Sequence, residues 1–378
     1  MTDAIARAPA HGGRTLSALL PGAAQVAAGR WGAGGTALLV WLGCWTVLVS
    51  RAGRVAEAVF GAWDEKLSVA ALALGLASSW LWSWRDVSRP GGPKTVGVSQ
   101  WDLAVRAFSK NRTAVAGLML IVALYLLALL TPLLAPYDPA FQGDLLTERY
   151  VGMSSVHPLG TDQFARDVFS RLLYGARISL LIGFVAVGLS VTIGTLLGAV
   201  AGYVGGVVDG AIMRLVDMMV SFPQLVLLIT IVAIFEPSIF VIIGVLGLTS
   251  WPSTARIVRG ETLSLREREF VQAARALGYS KRRIILRHVI PNTLAPVIVA
   301  ATLGIGNTIV LEAGLSFLSL GVQPPTPSWG TMVADGRLVL LEAWWLSTFP
   351  GLAIVLTVLS FNLVGDGLRD ALDPRLRT

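Results

Sequence analysis

One carboxylate of this chain lies deep in an apolar run, where its chemistry differs from that of a carboxylate in water. Glu312 stands between Val310-Leu311 and Ala313-Gly314, and a carboxylate at such a depth must face protein or a water-filled cavity. Two interpretations stay open. Glu312 contacts a cationic substrate, such as an ammonium group or a metal ion, or it makes a hydrogen bond to a neighbouring helix and sets the conformation. We favour the second, since a satisfied buried polar network fixes one packing arrangement.

A further pair of ionisable residues, Arg214 and Asp217, lies at the start of the apolar run 211–235. The two side chains are three residues apart on one face of a helix, so we predict that they pair with each other. A proton or ion pathway is the alternative, but a position near the membrane interface favours the structural pair. Further along, Pro223 removes a helical hydrogen bond and predicts a kink at a place where helices must rock.

A third group of ionisable residues lies between two apolar runs and could be read as a metal site. It contains His157, Asp162 and Asp167. No second histidine lies close by in sequence, whereas three arginines do: Arg166, Arg171 and Arg177. Arginine and carboxylate form strong charge-assisted hydrogen bonds. We therefore predict an ordered ion network here rather than a metal site.

A charged segment, residues 259–287, separates two long apolar runs. Ser264 followed by Glu267 is the pattern of a capping box, which predicts that a helix begins at Leu265. Gly278 is the residue type that ends a helix in a left-handed turn. Within this helix, small or apolar residues recur at helical spacing and form one stripe: Phe270, Ala273, Ala274 and Leu277. Such a stripe can dock into a groove on a soluble partner protein.

The composition places most of the chain in a membrane. Hydrophobic residues make up 54% and charged residues only 14% of the sequence, against about 25% charged residues in soluble domains. The net charge of +7 comes from basic residues that flank apolar runs, which fits a membrane protein and argues against nucleic-acid binding. The only cysteine, Cys44, lies inside an apolar run, which excludes a disulfide within the chain and a cysteine-ligated metal cluster.

The apolar runs must position these groups, and runs of about 17–25 residues can cross a bilayer. Eight candidates are present: 35–50, 67–84, 113–134, 178–201, 211–235, 238–258, 294–318 and 345–364. The linker-like composition of 85–100 predicts an N-terminal extension, 1–95, with two spans, and a second domain, 96–378, with six. Arginine and lysine crowd the charged segment, so we expect that segment and both termini in the cytoplasm and residues 136–177 outside.

The charged segment resembles a known family. The spacing from Ala273-Ala274 to Gly278 and on to Ile290-Pro291 is similar to the EAA loop of ABC importer permeases. His288 before Val289-Ile290-Pro291-Asn292 is similar to the C-type subunit of the dipeptide/oligopeptide/nickel permeases. Gln272 stands where the family pattern has Glu. The resemblance implies that the residues coupling this chain to an ATPase are Phe270, Gln272, Ala273, Ala274, Arg275, Leu277, Gly278, His288 and Pro291.

The resemblance implies an all-α membrane protein: the six-helix core of a type I ABC importer permease, here preceded by a two-helix transmembrane hairpin. It implies a multi-pass protein of the bacterial inner (cytoplasmic) membrane that contacts lipid and binds no nucleic acid. Its partners would be two ATP-binding cassette ATPase subunits, a second permease of B type in a heterodimer, and an extracytoplasmic solute-binding protein. The chain lacks a G-x-x-x-x-G-K-[ST] loop. We therefore expect ATP and Mg²⁺ on the ATPase subunits, with no cofactor and no enzymatic activity on this chain.

The function expected from the resemblance is to form, with a second permease, the path for peptides or related small solutes, with nickel as one alternative. An ion-coupled secondary transporter is a rival class, but it would need ionisable residues near the midplane, and Glu312 is the one candidate. A membrane scaffold without transport is the other rival, and it leaves the charged segment unexplained.

Overall fold

The structure is a computed structural model that describes residues 20–27, 31–88 and 100–372, and its regular elements in these ranges are helices. Within these ranges the only β-type pairing is an isolated bridge between Thr161 and Asp167. The prediction of an all-α protein is confirmed. Most of the predicted linker, from Arg89 onward, lies outside the described residues.

The described helices have the following bounds. They are α1 (Ala23–Ala27), α2 (Trp31–Ser50), α3 (Ala52–Ala58), α4 (Trp63–Ser88), α5 (Gln100–Lys110), α6 (Arg112–Leu129), α7 (Thr131–Leu134), α8 (Val168–Val204), α9 (Gly206–Val220), α10 (Gln224–Val232), α11 (Ile239–Arg266), α12 (Glu269–Ala276), α13 (Lys281–Ile284), α14 (Ile290–Phe317), α15 (Trp329–Gly336) and α16 (Trp345–Leu372). A π-helical turn, Ile285–Val289, joins α13 to α14, and a 3₁₀ turn, Arg337–Val339, follows α15.

The longest helix, α8, defines the two ends of the bundle. Its first residue, Val168, donates its backbone N–H to Gly160 of the preceding loop at 3.0 Å. Near its other end, Tyr203 packs in an apolar cluster with Val271. The end that carries residues 135–167 is called the loop end below, and the opposite end, which carries residues 267–289, is called the insert end.

The number of membrane spans agrees with the sequence prediction. Among the described residues, seven helices are long and apolar enough to cross a bilayer, and the bent pair α9–α10 raises the number to eight at most. The run 211–235, predicted as one kinked span, is two helices that meet at 85°. The break follows from Pro223, which has no N–H to donate and stands directly before α10. The kink was predicted at the right place, and the structure gives its angle.

Two parallel helices, α8 and α11, approach each other very closely. Gly194, Gly198 and Gly202 lie four residues apart on the face of α8 that meets α11. A Cβ atom added at Gly198 would lie 2.5 Å from the backbone oxygen of Ala255. Only glycine permits such a backbone approach. The two helices therefore form one tightly packed unit beside the break between α9 and α10.

The hairpin of α2 and α4 packs beside α6 and is attached to the rest of the chain at the loop end. The Arg54 guanidinium donates to the backbone oxygen of Ala135 and, at 2.8 Å, to that of Pro136. Asp64, in the first turn of α4, forms an ion pair with Arg177 of α8 at 3.6 Å. These contacts fix the tip of the hairpin to the segment that begins the loop and to α8.

Candidate functional sites at the insert end and in the membrane

The helix of the charged segment begins later than predicted. α11 continues through Ser264 to Arg266, and α12 begins at Glu269 after a turn in which Arg268 is extended (φ −74°, ψ 145°) and no side chain caps the helix. The predicted capping box is wrong, because Ser264 belongs to the last turn of the long helix before it. Glu267 instead accepts hydrogen bonds from Arg266 Nε at 3.0 Å and from Gln272 Nε2 at 3.4 Å.

Gln272 stabilises this turn as a hydrogen-bond donor. Its Nε2 also donates to the Arg266 backbone oxygen at 3.3 Å. A glutamate at this position could accept but not donate, unless protonated, and would face the Glu267 carboxylate. The amide at this position therefore matches its surroundings in this chain.

The other end of α12 is the left-handed turn that the sequence predicts. Gly278 has φ +75°, and Tyr279 donates its backbone N–H to the Ala274 oxygen at 3.2 Å, the long hydrogen bond of a glycine-terminated helix. A Cβ atom at Gly278 would have no neighbour within 4 Å. The requirement for glycine here is therefore conformational rather than steric.

The predicted apolar stripe of α12 divides into two faces. Phe270 and Leu277 are 42% and 72% exposed, and Ala273 is also exposed. Ala274 is buried together with Val271, so its place on the free docking stripe was wrongly predicted. Ala274 lies at the edge of the stripe, between Phe270 and Val271 around the helix, and tertiary packing covers that edge together with Val271.

The buried face of α12 attaches it to three long helices. Val271 and Ala274 share one apolar cluster with Tyr203 of α8, Val258 of α11 and Val297 of α14. One continuous apolar cluster therefore links α12 to all three helices.

The remaining predicted residues of the insert lie around this cluster. The Arg275 guanidinium lies 5.7 Å from the centre of the Tyr203 ring. The His288 ring stacks on Tyr279 with centroids 6.1 Å apart. Pro291 is the second residue of α14, directly after the π-helical turn Ile285–Val289.

The break between α9 and α10 opens into a cavity of about 400 Å³. Its wall includes Pro223 and the neighbouring residues of the break, together with parts of α8, α11 and α14. The polar residues of the wall carry only hydroxyl or amide groups: Ser190, Gln224, Thr249, Ser250, Ser253, Thr254, Asn307 and Thr308. No lining residue among the described ones is ionisable.

Two of the predicted pore residues, Arg214 and Asp217, do not form the predicted pair. Asp217 accepts a hydrogen bond from Arg256 of α11 at 2.7 Å, and one turn away Arg259 of α11 binds Asp209 through two hydrogen bonds of 2.5 and 2.7 Å. The prediction failed because α11 presents its own arginines at this level, which sequence spacing within α9 cannot reveal. Neither Arg214 nor Asp217 lines the cavity.

Glu312 is fully buried and lies in a network of hydroxyl groups. Its Oε1 accepts hydrogen bonds from Ser316 at 2.7 Å and Ser328 at 2.9 Å, and its Oε2 accepts one from Ser179 of α8 at 3.4 Å. Ser328 caps α15, whose Trp329 N–H donates to Ser179 at 3.2 Å. The network therefore joins α14, α8 and α15, a geometry that favours the conformational interpretation over substrate contact.

At the loop end, buried ions form much of the predicted network. Asp162 accepts hydrogen bonds from Arg166 Nε at 2.7 Å and lies 3.4 Å from Arg171 Nε, and both arginines approach Asp335 of α15 within 4 Å. Burial raises the pKa of Asp335, and the two arginines act in the opposite direction. The third arginine, Arg177, pairs elsewhere, with the hairpin. No cluster suited to a metal ion occurs in the described ranges.

The sequence interpretation missed Gln224 and Asn307. Asn307 is an amide within the apolar run 294–318, and this polar interruption could have identified it as a candidate site residue. Gln224 directly follows the proline of the break. Their shared cavity is visible only once α10 and α14 are placed side by side.

The architecture is that of a multi-pass membrane permease: a broken span at a central cavity, with a short exposed helix held between two spans at one end. The sequence matches the family model for the binding-protein-dependent transport system inner membrane component over residues 194–378. It also matches the model for the N-terminal transmembrane domain of oligopeptide transport permease C over residues 99–151.

Several curated proteins are similar over most of their length. The dipeptide transport system permease protein DppC of Alkalihalophilus pseudofirmus is 44% identical over 77% of this chain and 95% of its own length. The protein of the same name in Escherichia coli K12 is 49% identical over 71% and 91%. The glutathione transport system permease protein GsiD of Escherichia coli O6:K15:H31 is 42% identical over 73% and 91%. A solved inward-facing structure of the MetNI methionine ABC transporter matches 54% of this chain at 18% identity and a TM-score of 0.45.

The chain therefore belongs to the family of binding-protein-dependent ABC transport permeases, as its resemblance at the sequence level indicated.

Proposed function

We propose that this chain is the C-type permease of an ATP-driven importer of peptides or related small solutes. The substrate class is supported by the relatives, which are named for dipeptide and glutathione transport. The observation that carries the proposal is α12, which exposes Phe270 and Leu277 at the insert end while its other face is packed against the ends of three long helices. This is the arrangement needed to receive a force from a soluble subunit and pass it into the membrane.

The proposed complex contains two ATP-binding cassette subunits, a second permease of B type and an extracytoplasmic solute-binding protein. ATP and Mg²⁺ would be bound by the ATPase subunits, and this chain would act as a transport subunit without enzymatic activity. Residues 1–95 would form an extension with its own hairpin, and residues 96–378 the permease domain. The family-model matches begin at residue 99, which supports this boundary.

The proposed orientation places the insert end in the cytoplasm and the loop end outside. Basic side chains are concentrated in the insert, as expected for a cytoplasmic loop: Arg266, Arg268, Arg275, Lys281, Arg282, Arg283 and Arg287. The tip of the α2–α4 hairpin lies at the loop end, so the start of α2 and the end of α4 lie away from that end, which is consistent with a cytoplasmic N-terminus. The loop end would then face the solute-binding protein, with its surface held in place by the buried Asp162 ion network.

We propose that α12 couples ATP binding to the path in two steps. Closure of the ATPase subunits moves α12, and its buried residues Val271 and Ala274 carry the displacement to α8, α11 and α14. The π-helical turn Ile285–Val289 before α14 provides a place for a change in helical hydrogen bonding. The break at Pro223 lets α10 change its angle against α9, so that the cavity can open toward one end at a time.

The test is capture of the partner subunits by the chain solubilised from its native membrane. Leu277→Glu and Phe270→Glu place a carboxylate on the exposed face of α12 and should abolish capture of the ATPase while leaving the fold intact. Leu146→Glu is the matched control, because Leu146 is 95% exposed at the loop end. Ala274→Glu is unsuitable, since that side chain is buried within the chain itself.

The expected result is that wild type and Leu146→Glu recover an ATPase and a second permease, and that both α12 variants recover only the permease. ATP-dependent dipeptide uptake by vesicles should fall in parallel with ATPase recovery. If the two α12 variants retain the ATPase at wild-type stoichiometry, α12 is not the docking element and the proposed coupling is wrong.

A further inference from the structure

We infer that Asn307 and Gln224 contact the peptide groups of the transported solute, in a path whose wall on this subunit carries no charge. This inference rests on the proposed function, because it names how the permease recognises the solute class proposed above. It concerns the cavity at the break between α9 and α10 rather than α12 or the Glu312 network.

Asn307 is an exposed amide in the middle of a membrane-spanning helix. It is the eighteenth of the 28 residues of Ile290–Phe317, on a face that lines the cavity. Among the described residues, none forms a hydrogen bond with its side chain. An unpaired amide in contact with lipid would cost several kcal/mol. Its place on the cavity wall instead gives it water or a solute as a partner.

Gln224 reaches the same cavity from the other side of the break. It is the first residue of α10, and its Nε2 donates to Ser250 of α11 at 3.2 Å. That hydrogen bond orients the side chain, while no described residue donates to its amide oxygen. One amide is therefore held in place with its acceptor available, and the other, Asn307, has both donor and acceptor available.

The chemistry of these two side chains matches what all peptides have in common. A side-chain amide carries the same N–H donors and C=O acceptor as a peptide group. The neighbouring hydroxyls of Ser250, Ser253 and Thr254 can each donate or accept. The wall can therefore bind backbone groups of a solute without reading its side chains.

The described residues that line the cavity carry no charge. A fixed charge in a low-dielectric path would hold solutes of opposite charge and repel those of like charge. An uncharged wall treats cationic, neutral and anionic peptides alike. Selection by charge would then be left to the solute-binding protein.

The experiment measures uptake of three dipeptides, Lys-Ala, Ala-Ala and Asp-Ala, by vesicles that contain the whole complex. Asn307→Asp replaces the side-chain amide by a carboxylate of the same size. We expect it to raise the ratio of Lys-Ala to Asp-Ala uptake roughly tenfold over wild type, mainly by lowering Asp-Ala uptake. The Coulomb interaction between two unit charges about 6 Å apart, in an effective dielectric of about 20, is large enough to give a change of this size. Gln224→Glu should shift the ratio in the same direction.

Gln323→Glu is the matched control, because Gln323 is exposed in the turn after α14 and does not line the cavity. Its uptake ratio should equal that of wild type. Asn307→Ala should lower uptake of all three dipeptides by a similar factor while partner capture stays normal.

Three outcomes decide the matter. An unchanged ratio in Asn307→Asp and Gln224→Glu, in complexes that assemble and hydrolyse ATP normally, overturns the inference while leaving the proposed function intact. Loss of the second permease from Asn307→Ala assigns that residue to the subunit interface and also overturns it. If wild type itself takes up no dipeptide in the presence of ATP, the proposed substrate class fails, and the inference fails with it.

Discussion

Replacing Gly198 by alanine adds a single methyl group at the closest contact between α8 and α11. That Cβ atom would lie 2.5 Å from the Ala255 backbone oxygen, whereas ordinary contacts begin at 3.4 Å. Both atoms of this clash belong to helix backbones or are fixed to them, so the helices themselves must separate by roughly 1 Å to relieve it. Separation at this point also loosens the neighbouring contacts at Gly194 and Gly202.

The magnitude follows from comparison with a second glycine of the same helix. Gly188 has open space around it, with nothing within 4 Å of an added Cβ atom. Both replacements gain the same helix propensity, about 0.5–1 kcal/mol. Overpacking costs about 1–3 kcal/mol, and only Gly198→Ala incurs it. The difference in free energy of unfolding between the two variants should therefore be about 1–3 kcal/mol, with Gly188→Ala at or above wild type.

The assay is unfolding of the purified chain in detergent, followed by tryptophan fluorescence under increasing denaturant. The prediction concerns the order of the two variants, which does not depend on the absolute stability in the chosen detergent. Equal midpoints for Gly198→Ala and Gly188→Ala would refute the close approach of α8 and α11 as one tightly packed unit.

Three further perturbations have effects that can be estimated from the structure. Glu312→Ala removes three accepted hydrogen bonds, two of which join different helices. Each bond between helices is worth about 0.6–1.7 kcal/mol, so the free energy of unfolding in detergent should fall by about 1–3 kcal/mol. Glu312→Gln should recover part of the loss, and a wild-type midpoint for Glu312→Ala would contradict the network. Asp162→Asn leaves the two buried arginines with only the Asp335 carboxylate, which lies 3.7–3.9 Å away. The free energy of unfolding in the same assay should fall by about 3–5 kcal/mol. Retention of full stability would show that the ion network contributes little. Gly278→Val forces a β-branched residue into φ +75°, which costs at least about 1–2 kcal/mol locally. ATP-dependent uptake should therefore fall although the protein level stays normal. The control Gly260→Val, at a position in regular helix with open space around it, should transport normally.

Features set by local chemistry could be predicted from the sequence. Apolar run length gave the spans, Pro223 marked the break, and Gly278 marked the end of α12, because each depends on the residue itself and its immediate neighbours. The arginine-rich surroundings of Asp162 also indicated an ion network before any contact was known.

Features that depend on packing could not be predicted from the sequence. The Ser264–Glu267 pattern is a valid capping signal, but α11 extends through it, since the helix is continued by its packing against α8. Ala274 fits an exposed stripe by spacing alone, yet it is turned toward the core, where it meets the same cluster as Val271. Asp217 had a possible partner within α9, and it pairs instead with Arg256 of α11. In each case a partner distant in sequence decided the outcome.

The central claim is that the exposed face of α12 contacts an ATPase. The chain has one cysteine, Cys44, which is fully buried, so Leu277→Cys in a Cys44→Ser background carries a single reactive thiol. A photo-crosslinker attached there in native membranes should label an ATP-binding cassette subunit, and nucleotide should change the yield. The same probe at Leu146→Cys should not label it. Labelling of the ATPase from position 146 and not from 277, or labelling of lipid alone from 277, would contradict the account.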